Sequence, residues 1–204
     1  MKTWAGWFAA LQGRQAATNG GSAPARWVVV DVETTGLDVR HDQLLAIAAI
    51  GLQVFAHRAP RIVAGDLFDQ VVQRRDARVD KDNILLHGIG VQQQRQGAPA
   101  ADVMAAFEAW LGDAPLIGFH TLFDVTMLSR ALHDHRGHWL TRPWLDLEPL
   151  AAMLYGEAAP QTLDQWLARF RITCLERHRA SADAFATAEL LQALWPRLKQ
   201  QRCT

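Results

Sequence analysis

The sequence predicts an α/β domain in which a mixed sheet is flanked by helices. Two observations carry that expectation. Three β-patterned segments joined by short connections come first, which suits an antiparallel meander. Helical periodicities alternating with a short apolar run follow, and strands succeeded by helices in this way give a sheet covered on its faces. The 204 residues, 50% hydrophobic and 21% charged, suit one such domain with a short appendage.

The appendage is residues 1–26. Trp4, Trp7, Phe8 and Leu11 fall at helical spacing and predict a short amphipathic helix over 3–12. Gln15 to Pro24, rich in Ala, Gly, Thr, Asn and Ser, reads as a flexible linker. Such a helix either packs on the domain as a lid or serves a protein partner or self-association.

The domain spans 27–204. Trp27 to Val32 is a continuous apolar, valine-rich run bounded by turn formers, hence a buried strand. Gln43 to Phe55 and Gly65 to Val72 read as the second and third strands. Ala101 to Leu111 sets Val103, Ala106, Phe107 and Trp110 on one helical face. Pro115 to Phe119 is a short apolar strand, and Thr121 to His133 is a helix with Val125, Leu128 and Leu132 in register. Thr162 to Phe170 and Ser181 to Leu198 give two more helices, the last broken or ended near Pro196.

Charge and cysteine content narrow the function classes. With 21 basic and 21 acidic residues, the chain lacks the broad basic surface that holds nucleic acid by phosphate neutralisation. A grip on a few nucleotides remains compatible, with Arg74, Arg75 and Arg78 as local attraction or simply a solvated face. Cys174 and Cys203 make no disulfide framework or structural zinc spacing, so a reducing, cytoplasmic setting is expected. No apolar run approaches the roughly 18 residues of a membrane span, and the N-terminus lacks an export pattern.

Chemistry concentrates in Asp31-Val32-Glu33-Thr34-Thr35-Gly36-Leu37. Side chains alternate along a strand, so carboxylates at i and i+2 share one face. Where that strand is buried, two unpaired anions repel and lose hydration, which calls for raised pKa values or bound cations. The plainer reading ends the strand at Val30 and leaves both acids solvated. Asp124 lies in the first turn of a helix that follows a short strand, a position both common for a helix acid and close to where open α/β sheets gather function. Asp183 opens an Ala-rich helix whose small residues allow close approach to the sheet. His178 lies five residues earlier, either as an exposed surface residue or as a movable acid–base group.

Taken in order, Asp31-x-Glu33-Thr34-Thr35-Gly36-Leu37, Asp124 within Gly118-Phe119-His120-Thr121-Leu122-Phe123-Asp124, and His178 five residues before Asp183 resemble the three motifs of the DEDDh (DnaQ-like) 3′→5′ exonucleases. That family includes the proofreading subunit of bacterial replicative polymerase, ribonuclease T and oligoribonuclease. The resemblance runs from about Trp27 to Leu194, and His87-Gly88-Ile89 looks like a further family segment. It departs at Phe119-His120, where many relatives carry His-Asn. It also gives no expectation of the C-terminal tether of the proofreading subunit, since 21 residues follow Asp183.

The resemblance implies a ribonuclease H-like mixed five-stranded sheet flanked by helices. It implies a metal site of Asp31, Glu33, Asp124 and Asp183 holding two Mg2+, with Mn2+ able to substitute; oxygen ligands favour such hard cations. His178 would be the general base, with Arg177 and Arg179 favouring its neutral form. Thr34, Thr35 and Leu37 would hold the terminal nucleotides, with His87 and Phe123 as stacking surfaces, although Phe123 is equally readable as a core aromatic. The implied substrate is the 3′ end of single-stranded DNA, or alternatively of RNA or short oligoribonucleotides. A reading from another class is an inactive nucleic-acid-binding or docking module, which predicts a lost ligand; none of the five residues is missing.

Overall fold

The computed structural model describes residues 24–55, 58–76, 84–85 and 87–200. The N-terminal helix over 3–12, its linker, Arg78 and Cys203 lie outside the described residues. Eleven elements follow in chain order: β1 (Ala25–Thr34), β2 (Leu44–Val54), β3 (Arg61–Val71), α1 (Val91–Gln96), α2 (Ala100–Leu111), β4 (Leu116–Gly118), α3 (Thr121–Arg136), β5 (Trp144–Asp146), α4 (Leu147–Tyr155), α5 (Leu163–Phe170) and α6 (Ala180–Gln200).

The five strands form one sheet in the order β3-β2-β1-β4-β5. The first three make the antiparallel meander, and β4 and β5 add to β1 in parallel. This is the mixed five-stranded sheet of a ribonuclease H-like fold. β1 is central, and Trp27, Val28 and Val29 are wholly buried, as an apolar run covered on both faces should be.

Strand alternation sorts β1 into two cores. Trp27 and Val29 pack with α4, α5 and α6, where Trp166, Leu191 and Trp195 lie. Val28, Val30 and Val32 pack with α2 and α3, where Met104, Phe107 and Leu128 lie. Asp31 and Glu33 continue the first set, so parity aims both carboxylates at the α6 side of the sheet.

Of the two readings of β1, the one that keeps both acids in the strand holds, and the strand runs beyond Val32: its pairing with β2 continues through Asp31 opposite Ala48 and Glu33 opposite Ala46, with a bulge only at Glu33/Thr34. Two further differences stand out. The last helix does not stop at Pro196 but runs to Gln200. A proline there removes one main-chain hydrogen bond, and the burial of Leu194, Trp195 and Leu198 on both sides of it holds the helix together. Finally, the sheet gains β5, a three-residue strand, and the helices gain α1 and α4; α4 does carry helical spacing, with Leu147, Leu150, Ala151 and Leu154 buried on one face, whereas β5 and α1 are too short to show a period.

Candidate active site

The C-terminal ends of the parallel strands β1 and β4 open toward the first turns of α3 and α6. Four carboxylates converge there, placed by three local causes. Asp31 and Glu33 come from β1 by alternation. Asp124 is carried by the first turn of α3, and its Oδ1 accepts a hydrogen bond of 3.1 Å from the Val32 N–H. That bond fastens the helix to the strand between the two strand acids. Gly118 permits the approach: a Cβ there would come within 2.9 Å of Thr121 Oγ1 and 3.2 Å of Val30 O.

Asp183 reaches the sheet because α6 lies close to it, with Ala180, Ala184, Ala186 and Ala188 all buried. Its two oxygens have different partners. Oδ2 accepts the His178 N–H at 3.0 Å. Oδ1 is paired with the Arg177 guanidinium, with Cys174 Sγ 3.7 Å away. Arg177 also donates through Nε to Asp164 in the first turn of α5.

The electrostatics record the crowding. Burial pushes the Asp31 carboxyl well above the usual carboxylate range, and the charges of Asp124, Glu33 and Asp183 push it further, opposed by Arg177. Glu33 is raised to about 8 by burial and by Asp183, against a hydrogen bond from the Ala180 backbone and the Arg177 charge. Asp124 is likewise raised by burial, against its bond from Val32. Hence the cluster holds more negative charge than its single guanidinium neighbour balances, which is the condition under which carboxylates gather around divalent cations.

By the chemistry of its donors the cluster fits hard divalent cations. Among the described residues no three Asp, Glu, His or Cys side chains already stand together as metal ligands.

His178 is exposed at the cleft rim, in a left-handed conformation with φ of 62°. Such backbone is uncommon outside glycine and recurs where a loop must present a particular side chain. A cleft of about 440 Å³ is lined by Glu33, His87, Arg177, His178 and Arg179, among others. His87 is only 2% exposed, and its Nδ1 accepts the Ile89 N–H at 2.9 Å, so it offers the cleft little ring surface.

The other substrate candidates lie outside that cleft lining. Thr34 Oγ1 donates to Gly36 O at 2.7 Å. Thr35 Oγ1 donates to Asp42 at 2.7 Å, while its N–H donates to Gln43 O. Both threonines therefore shape the 36–42 loop and leave Leu37, 84% exposed, at its tip. Phe123 is half-buried and packs against the α2–α3 core. Of the arginine group, Arg74 pairs with Asp76 at 3.5 Å and Arg75 contacts Gln73.

Several residues at the site carried no warning in the sequence. Asp146 ends β5, caps α4 through the Glu148 N–H, and accepts the His120 N–H at 3.0 Å, which anchors the entry to α3. Burial raises its pKa, with those two bonds opposing. Arg130 donates to Val39 O and Asp42 O and so ties α3 to the loop carrying Leu37. Asp164 anchors Arg177. An Asp directly before a helical apolar spacing could have flagged Asp146 as an N-cap; the carbonyl contacts of Arg130 and the ion pairs of Arg177 depend on tertiary placement.

A central parallel strand pair with acids at its open end, faced by acids from two helices, defines the class: a ribonuclease H-like nuclease domain. The family model described as RNase T, Exonuclease, matches residues 28–191. The chain belongs to that exonuclease family, in its DnaQ-like branch.

Among its relatives is the PolC-type DNA polymerase III of Latilactobacillus sakei, 30% identical over 170 residues that cover 83% of this chain and 11% of that protein. The PolC-type polymerase of Clostridium perfringens is 28% identical over 177 residues, covering 86% and 12%. The chain thus spans about a tenth of the length of these relatives. Among solved structures, E. coli Exonuclease I in complex with a dT13 oligonucleotide is similar with a TM-score of 0.72 at 18% identity, covering 86% of this chain and 42% of that one. The zinc-bound form of the same enzyme with single-stranded DNA gives 0.71, also at 18% identity, over 86% and 41%. These structures bear on the fold.

Proposed function

We propose that the protein is a metal-dependent 3′→5′ exonuclease that removes nucleoside 5′-monophosphates from the 3′ end of single-stranded DNA. One observation carries the reading: four carboxylates from β1, α3 and α6 meet in a desolvated cluster beside an exposed histidine. The DNA polymerase relatives and the oligonucleotide complexes of Exonuclease I support DNA as the substrate.

Asp31, Glu33, Asp124 and Asp183 would hold two Mg2+ or Mn2+, which when bound stabilise the charge that develops on the attacking and leaving oxygens of an in-line displacement. Protein groups do the rest. An imidazole nitrogen of His178 takes a proton from the attacking water; the water oxygen bonds to phosphorus as the bond from phosphorus to the 3′-oxygen of the preceding nucleotide breaks. The 36–42 loop, braced by Thr34 and Thr35, presents Leu37 as a wedge against the terminal bases. The setting is cytoplasmic, and the N-terminal segment is available to a protein partner or a second copy.

Degradation of matched DNA and RNA oligonucleotides labelled at the 5′ end tests the reading. Faster shortening of RNA would transfer it to the exoribonuclease alternative. No shortening of either with Mg2+ or Mn2+ would leave the inactive binding module.

A further inference from the structure

Arg177 sits between two acids that have different exposures. Asp183, whose side chain is 9% exposed, takes its Nη1; Asp164, 60% exposed, takes its Nε. A guanidinium is a rigid fork, so it bridges two carboxylates at once and can keep one while releasing the other. The other Asp183 oxygen holds the His178 N–H at 3.0 Å, which leaves Oδ1 as the oxygen held only by side chains. A cation that binds Asp183 through Oδ1 therefore meets Arg177 on that oxygen, and meets the unit positive charge beside it.

We propose that Arg177 is a tethered competitor for divalent cations: its guanidinium holds Asp183 Oδ1 until a cation takes that oxygen, and Asp164 receives the displaced guanidinium. The inference rests on the metal-dependent reading above. The charge of Arg177 is also felt by Asp31 and Glu33. It thereby sets the metal concentration at which the site fills.

The two partners give opposite expectations. Arg177→Gln removes the competing charge, so the Mn2+ concentration for half-maximal thermal stabilisation should fall, by ~10-fold for an interaction of the strength typical of a partly buried charge pair. Asp164→Asn removes the acceptor for the displaced guanidinium and leaves Arg177 wholly on Asp183, so the midpoint should rise by ~3-fold or more. A purely structural loop contact would move both variants the same way.

The experiment is a thermal melt of the full chain, its Arg177→Gln variant and its Asp164→Asn variant across a Mn2+ titration, with oligonucleotide shortening followed over the same series. Opposite shifts of the midpoints support the proposal. Coincident midpoints, or shifts in one direction, overturn it while the exonuclease reading stands on the activity of the parent chain. A parent melt that responds to Mn2+ without oligonucleotide shortening would overturn only the exonuclease reading; a melt indifferent to Mn2+ overturns both. Asp164 is exposed, so Asp164→Asn keeps the test decisive if Arg177→Gln fails to fold: an unshifted or lowered midpoint overturns the proposal.

Discussion

Val32 donates its main-chain N–H to Asp124 Oδ1 at 3.1 Å across 92 residues of sequence. Strand β1 and helix α3 are joined by that bond at the point where Asp31 and Glu33 emerge on either side of Val32. The backbone group that would continue the sheet toward β4 thus becomes a fixture for the third carboxylate. Three acids from two distant parts of the chain become one cluster through strand alternation and a single hydrogen bond.

Asp124→Asn keeps an acceptor for Val32 but deletes the charge. In the presence of a chelator we expect it to be more stable than the parent by ~1–2 kcal/mol, since a desolvated, unpaired anion is lost. Activity should fall at least ~100-fold, as for loss of a main electrostatic group. Urea unfolding with EDTA at pH 8 and at pH 5 checks this. The gain should shrink at pH 5, where a carboxyl with a raised pKa already binds its proton.

Glu33 gives the pH dependence. Its folded-state pKa of about 8 lies above its ordinary 4.5, so between those values the folded chain retains a proton that the unfolded chain has released. Stability with chelator should therefore fall as pH rises from about 5 to 8, at up to ~1.4 kcal/mol per pH unit for that proton. Divalent cations should stabilise more at pH 8 than at pH 6, because they favour the ionised carboxylate. Melting curves with EDTA and with Mg2+ at both pH values measure the two slopes; equal metal effects would count against the charge-crowding account.

His178→Ala should lower the turnover rate by ~10²–10⁴-fold, the range for loss of a general base. Its imidazole is exposed and is not required to hold metal, so the thermal stabilisation by Mn2+ should persist. Single-turnover degradation together with a Mn2+ melt separates the two. Unchanged turnover would remove the histidine from the mechanism.

Gly36→Ala tests the loop that presents Leu37. An added Cβ would stand 2.5 Å from Asp42 Oδ2, whose carboxylate already holds Thr35 Oγ1 and the Asp38 N–H. Relieving that overlap should cost ~1–3 kcal/mol. The KM for an oligonucleotide should rise more than kcat falls, and steady-state kinetics distinguish the two.

Much of this organisation could be read from the residues. The valine run of β1 announced a central strand, and the odd-numbered positions of Asp31 and Glu33 gave both acids one face before any packing was known. The ordered motifs supplied Asp124, His178 and Asp183. Short elements escaped because they carry no periodicity: β5 has only three residues. Pro149 sits in the first turn of α4, where helix N–H groups lack main-chain partners in any case, so it is compatible with the helix start. Pro196 misled because it lies inside α6, where buried residues on both sides carry the helix through it. Arg130, Asp146 and Arg177 were invisible as site residues because each acts on a group that only the folded chain brings within reach.

The most direct test of the central claim follows a single-stranded DNA oligonucleotide labelled at its 5′ end, with the full chain and Mg2+, beside EDTA and beside Asp31→Asn. We expect stepwise shortening from the 3′ end with release of nucleoside 5′-monophosphates, abolished by EDTA and by the substitution. Shortening by Asp31→Asn at the parent rate, or undiminished shortening in EDTA, would contradict that claim.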